Sequence, residues 1–254
     1  MPDINQVTSF FLVFLRAAAF LTAGPLYAFR GIPTVFRIGF PFAIAVVLYP
    51  VMGELPEAPS GAFEYGLAAA SELGVGLMMG FTVTFLLNSL RLAGQFIDLK
   101  IGFIMSAMAD PLSGAQTTLV AQFMYYLAFI LFLVMDGHHL LILGLIKSYE
   151  MIPLGMASMS AGVGEQLVKT FNRMVVIALQ VAAPVLSVLL ICDLALGFLS
   201  RTTPQINVFL TGFLIKIVVG MLVLAFLMPF MGTVMQSLIN VIENDLYTLM
   251  RALM

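Results

Sequence analysis

An all-α, polytopic membrane protein is predicted by three features of this sequence. Apolar residues make up 61% of its 254 positions and charged residues 9%, against globular averages of about half and about a quarter. With so few polar side chains a soluble domain of this length could not coat its own surface. The apolar residues also fall in runs approaching the roughly 20 residues needed to cross a ~30 Å hydrocarbon core. Finally, several of those runs carry an ionisable residue well inside. Such a residue costs about 2.5–3.5 kcal/mol at a helix centre unless it faces protein or water.

Taken in order, about six hydrophobic helical segments in hairpins are expected within one membrane-embedded domain, 1–254. The first, 7–29, contains Arg16; the second, 38–53, is short; the third, 68–90, contains Glu72. The fourth, 119–146, contains Asp136, His138 and His139; the fifth, 174–199, contains Asp193; the sixth, 206–235, contains Lys216. "GIP" and "GFP" around Pro33 and Pro41 punctuate the first hairpin, and "PEAPSG" ends the second segment. "TTPQINV" starts the last segment, with Thr203 as N-cap and Pro204 at the first helical position. The final 236–254 form an amphipathic helix, with Leu238, Val241, Ile242, Leu246, Leu249 and Leu253 opposite Asn240, Glu243, Asn244 and Arg251. Its stripe either docks on a partner or lies on the membrane surface.

The amino terminus has an acid and no base before its apolar run, so the first segment is read as retained rather than as a cleaved signal. Arg30 and Arg37 against the acids of "ELPEAPSGAFEY" assign the first two connections to opposite sides. The bias then decays, because Lys147, Lys169 and Arg173 sit where alternation would place few bases. Helices that pack on protein rather than insert independently explain that decay. The scattered basic residues argue against nucleic acid, and the single Cys192, inside an apolar run, is expected to pack as a small hydrophobe.

Asp193 and Lys216 flank a short connection. At 1.5 Å per residue they lie about 12 and 20 Å along antiparallel helices, a mismatch that a long lysine closes. A buried ion pair is expected there, and separate solvation in a polar cavity is the alternative. Arg16 and Glu72 form a second possible pair that no hairpin constrains. Gly76 and Gly80, four apart in "SELGVGLMMGF", mark a close helix-packing face. "MDGHHLL" has metal-ligand chemistry, but adjacent histidines on a helix are expected to diverge and the chain holds only two, so no metal is predicted. Nor is a nucleophile found with its base, so neither an enzyme nor a cofactor is predicted.

The stretches "GPLYAFRGIPTVFRIGF", "ELGVGLMMGF", "GQFIDLKIGFIMSAMADPLSG", "LFLVMDGHHLLI" and "SRTTPQINVFLTGFLIKI" together resemble the FliR family, whose virulence-system relatives are called SctT. Its signature here comprises Gly94, Gln95, Asp98, Arg201, Pro204, Gln205 and Asn207. The resemblance implies a component of the flagellar type III export apparatus in the bacterial inner membrane, at the flagellar basal body. It implies FliP-like and FliQ-like partners, an FlhB-like subunit, and a channel for unfolded exported proteins. It further implies that a loop at about 104–118 projects into that channel as a plug.

The loop's residues suit that role. Met105 and Met108 are flexible and apolar, able to seal an irregular opening. Asp110, Pro111, Ser113 and Gly114, with Ser106 nearby, supply turn chemistry that lets a loop swing. A lipid-facing re-entrant connection is disfavoured, because irregular backbone at membrane depth survives only where protein or water satisfies it. The competing class is a proton-coupled transporter of a small solute, with Glu72, Asp193 or Lys216 relaying protons.

Overall fold

The computed structural model describes residues 4–27, 33–51, 61–103, 118–158, 161–202 and 208–254. Among the described residues there is no strand. The helices are α1 (Ile4–Ala23), α2 (Thr34–Leu48), α3 (Ala62–Ile101), α4 (Leu119–Val134), α5 (Gly137–Met151), α6 (Ala161–Thr202), α7 (Val208–Leu227) and α8 (Met231–Leu253). Gln6–Ala23, Ala62–Ile101, Gly162–Thr202 and Thr211–Leu253 are each long and apolar enough to cross a membrane, and α4 with α5 adds a fifth candidate if the pair is counted as one span. This is an all-α polytopic membrane protein.

Several boundaries differ from those expected. The third and fifth segments are parts of helices of 40 and 42 residues, about 60 Å long at 1.5 Å per residue. Charges such as Arg91 and Lys169 bound an apolar run without ending a helix. Pro41 lies inside α2 rather than punctuating it, and α6 likewise runs through Pro184. The fourth segment breaks at Asp136, whose φ of 58° is left-handed, a conformation that a short polar side chain tolerates. The amphipathic tail begins at Met231, after a 3-10 turn over Met228–Phe230. The expected N-cap Thr203 and first helical residue Pro204, and residues 56–60 of the "PEAPSG" stop, lie outside the described residues.

The chain forms two compact units. The first comprises Met1–Leu86, Met135–Phe171 and Leu238–Met254; the second comprises Leu87–Val134 and Asn172–Ser237. Within the first, α1 and α3 approach through glycine. A Cβ at Gly76 would lie 2.5 Å from the Arg16 carbonyl oxygen, and one at Gly80 would lie 2.6 Å from the Ala23 Cβ. That closeness lets the Thr84 hydroxyl donate 2.6 Å to the Ala23 carbonyl at the end of α1, one of the carbonyls a helix leaves unpaired. On the other side of α1, Phe10 and Phe14 meet Phe42 of α2 edge to face.

The stripe of the tail is covered by the chain itself, which is neither of the two arrangements its sequence suggested. Leu238, Ile242, Leu246, Leu249 and Leu253 are buried, whereas Asn240, Glu243, Asn244 and Arg251 are exposed. Leu246 packs where Gly144 of α5 leaves room, and the Ser158 amide donates 2.8 Å to the Leu253 carbonyl. The buried Asp245 accepts 2.9 Å from the Thr170 hydroxyl.

Close approaches in the second unit include Gly94 of α3 on Ala121 of α4, and Gly220 of α7 on Ile101. Large apolar side chains remain uncovered along α6 and α7, among them Ile191, Leu194 and Phe198, and Val218, Leu222 and Phe226.

Replacing Gly76 by alanine should push backbone against backbone and cost about 1–3 kcal/mol. Gly66, on the same helix with open space around its missing Cβ, should accept alanine with a gain of up to about 1 kcal/mol. Thermal denaturation of the detergent-solubilised protein should separate the two variants, and equal midpoints would contradict the packing described.

Candidate functional site

The residues that frame the expected pore loop lie at the end of α3 and the start of α4. Helix α3 closes at Gly102, whose φ of 103° suits a residue without Cβ. Both the Gly102 and Phe103 amides donate to the Asp98 carbonyl, at 2.9 and 3.0 Å. The Asp98 side chain, fully buried, turns to the next helix. Its carboxylate accepts the Ala121 amide at 2.8 Å, the Val120 amide at 3.2 Å and the Thr118 hydroxyl. It thereby satisfies amides that the first turn of α4 would leave unpaired, and does so as an anion at the positive end of a helix dipole.

One turn back on α3, a Cβ at Gly94 would lie 2.5 Å from the Ala121 Cα, so glycine is what admits α4 to this distance. Gln95, between these residues in sequence, is exposed.

Asp193 of α6 lies between two lysines. Lys216 of α7 is 3.0 Å away, and Lys100 of α3, which the sequence reading did not pair, is 2.7 Å away. Each of the three side chains keeps a quarter to a third of its surface exposed. The arrangement joins α3, α6 and α7 and carries a formal surplus of one positive charge.

In the first unit, Arg16 and Glu72 are buried without residual exposure. Arg16 Nε donates to Glu72 Oε2, and Nη2 donates to Oε1 at 3.0 Å, the two-pronged geometry in which guanidinium best matches carboxylate. The remaining N–H groups reach the Ser148 carbonyl at 2.9 Å and the Ile152 carbonyl at 3.0 Å. All five donors of the guanidinium are thus engaged. Its plane lies over the Tyr149 ring, 4.6 Å from the centroid, and the Tyr149 hydroxyl donates 2.8 Å to the Val13 carbonyl. Glu72 Oε1 also accepts the Gly155 amide at 2.8 Å. Gly155 has a left-handed φ of 73°, and a Cβ there would meet Ala68 at 3.1 Å.

His138 and His139 do not diverge as expected. Their ring centroids are 4.3 Å apart, and ligand atoms of Asp136, His138 and His139 all lie within 4.8 Å of one another. The left-handed Asp136 starts α5 there, so the pair occupies a first turn rather than the middle of a helix. Asp136 and His139 are well exposed, and a cation would face the positive end of the α5 dipole.

Residues 7–242 match a known protein family, described as bacterial export proteins, family 1. The chain belongs to this family. It is similar to the flagellar biosynthetic protein FliR of Bacillus subtilis strain 168, 36% identical over 93% of this chain and 92% of that protein. It is also similar to the FliR proteins of Escherichia coli K12, 29% identical over 95% and 92%, and of Aquifex aeolicus VF5, 26% identical over 89% and 87%.

For a member of the bacterial export proteins, family 1, the described charges are suited to holding chain segments together. Glu72 and Asp193 are engaged by fixed partners, which is the opposite of a site where a proton is exchanged with a solute. Of the signature residues, Gly94 and Asp98 meet at the α3–α4 junction, and Arg201 is exposed in the last turn of α6. Pro204, Gln205 and Asn207 lie outside the described residues, as do Met105, Ser106, Met108, Asp110, Pro111, Ser113 and Gly114. Sequence reasoning missed the linkage of Asp98 to α4. The available signal was an acid buried in an apolar stretch, followed about twenty positions on by the Ser/Thr-type start of a helix.

Glu72→Gln should leave the Arg16 charge buried against a neutral amide and destabilise the protein by several kcal/mol, within the range of about 3–5 kcal/mol for breaking such a pair. Lower accumulation in membranes and a lower unfolding midpoint should both follow. The double exchange Asp193→Lys with Lys216→Asp should recover less assembly than it would for a simple pair, because Lys100 would then face a second ammonium where it now meets a carboxylate. Full recovery of assembly by that double exchange would show Lys100 to be idle.

Proposed function

We propose that this chain is an inner-membrane component of the flagellar type III export gate, forming part of the channel through which unfolded flagellar subunits pass. Membership in the bacterial export family, with likeness along nearly its whole length to proteins named for flagellar biosynthesis, carries this reading. Two structural features agree with it. Helices of 40 and 42 residues are about twice as long as a ~30 Å hydrocarbon core requires, so their reach suits an assembly extending beyond the bilayer. The uncovered apolar faces of α6 and α7 suit contact with companion membrane subunits or lipid.

On this reading the partners are FliP-like and FliQ-like subunits with an FlhB-like subunit nearby, at the basal body. The chain acts as conduit wall and contributes no chemistry of its own. The segment 104–118 supplies the plug, with Met105 and Met108 as its sealing side chains and Asp110, Pro111, Ser113 and Gly114 as its turn.

Extraction through an affinity tag in mild detergent should recover the chain in a large complex, with FliP-like and FliQ-like proteins identified by mass spectrometry. A homogeneous monomer or homodimer would instead favour a small-solute transporter. Deleting 108–114 should make membranes that contain the assembled complex leaky to small ions, and unchanged permeability would remove the plug role.

A further inference from the structure

We infer that Asp136, His138 and His139 form a binding site for a borderline-soft divalent metal ion such as Zn²⁺. Two imidazoles and a carboxylate are a ligand set that holds zinc at three positions and leaves a fourth open to water. Their ligand atoms all lie within 4.8 Å of one another, and His139 Nδ1 is 3.3 Å from Asp136 Oδ1. Around a tetrahedral ion with bonds of about 2.0–2.2 Å, neighbouring ligand atoms stand about 3.4 Å apart. The closer pair already has that spacing, and a small rotation of the exposed Asp136 and His139 side chains brings the third ligand into range.

Local structure leaves all three side chains available. Asp136 occupies the N-cap of α5, yet its side chain makes no capping bond. Its carbonyl accepts the His139 amide at 2.9 Å instead, which leaves the carboxylate to face the imidazole. Among the described residues Asp136 is the one non-glycine residue with a left-handed φ, a costly conformation that collects at functional positions. Because α5 starts at Gly137, both histidines fall in its first turn, with ring centroids 4.3 Å apart. His138 Nδ1 is shut off from solvent and finds no hydrogen-bond partner among the described residues. A buried polar atom left in that state calls for an explanation, and a bound ion is one. The α5 dipole opposes a cation, but its effect is small at an exposed turn and the Asp136 charge offsets it. An ion held there would pin the residue before α5 to the first turn of that helix.

The test uses the full-length chain, purified in detergent through a tag without histidine. Its two histidines are both in this site and its single cysteine is Cys192 of α6, so imidazole coordination reports this site alone. Zn²⁺ is titrated by calorimetry into the wild type, His138→Ala, His139→Ala and Asp136→Asn, the last keeping a side chain that tolerates the left-handed backbone. One equivalent should bind the wild type in the micromolar range or tighter. Each variant should bind at least about tenfold more weakly, since losing a ligand costs no less than losing a ligand's support. Cu²⁺ in place of Zn²⁺ should show two coordinated nitrogens by electron paramagnetic resonance in the wild type, and one in either histidine variant.

Labelling with diethyl pyrocarbonate, read by mass spectrometry, needs no variant and so decides the question even if a substitution prevents folding. Zn²⁺ should slow modification of both histidines together. Binding weaker than millimolar, an affinity that the substitutions leave unchanged, or labelling equally fast with and without Zn²⁺ would each overturn the site.

Discussion

The first unit depends on the buried contact between Arg16 and Glu72. Neither charge could remain in so apolar an interior alone, because the cost of taking each from water is repaid only by close geometry and full hydrogen bonding. That requirement shapes everything near it. Gly76 brings α1 close enough to α3 for the two side chains to meet, and the end of α5 turns its last carbonyls inward because the guanidinium still has donors to satisfy. Gly155 takes a left-handed conformation that allows its amide to reach the carboxylate. Helices α1, α3 and α5 and the turn after α5 are thus fixed by one pair of side chains.

In the second unit the work falls to shorter links around the carboxyl end of α3. Asp98 ties that end to α4, Lys100 ties it to α6, and Ile101 packs against Gly220 of α7. The apolar faces beyond these links are left open, which fits a subunit whose remaining contacts are made by other chains. The charges within the helices bind segment to segment.

How much of this was legible in the sequence depends on whether a signal was local. The fold class followed from composition and run length alone. The four charges inside the apolar runs stood out because each demands a partner, and Gly76 with Gly80 announced a close approach by their spacing. Lys100 was not paired, because it lies where an apolar run ends and so passed for a residue at a connection; that same assumption shortened α3 and α6. The Asp98 cap joins residues about twenty positions apart across two helices, and no periodicity encodes such a contact. His138 and His139 were expected to diverge as neighbours on a helix, yet within the first turn of α5 their rings lie side by side.

The separation in sequence between the partners of Arg16 also sets an order of events during synthesis. Arg16 leaves the ribosome more than a hundred residues before Ile152 and Gly155, which complete its hydrogen bonds and those of Glu72. At about 5–20 residues per second that interval lasts roughly 7–30 s. Helix α1 therefore has no complete resting place in the lipid during that time. Glu72 reaches it first, 56 residues on, but the guanidinium's remaining donors stay unmet by protein until the fifth helix has arrived.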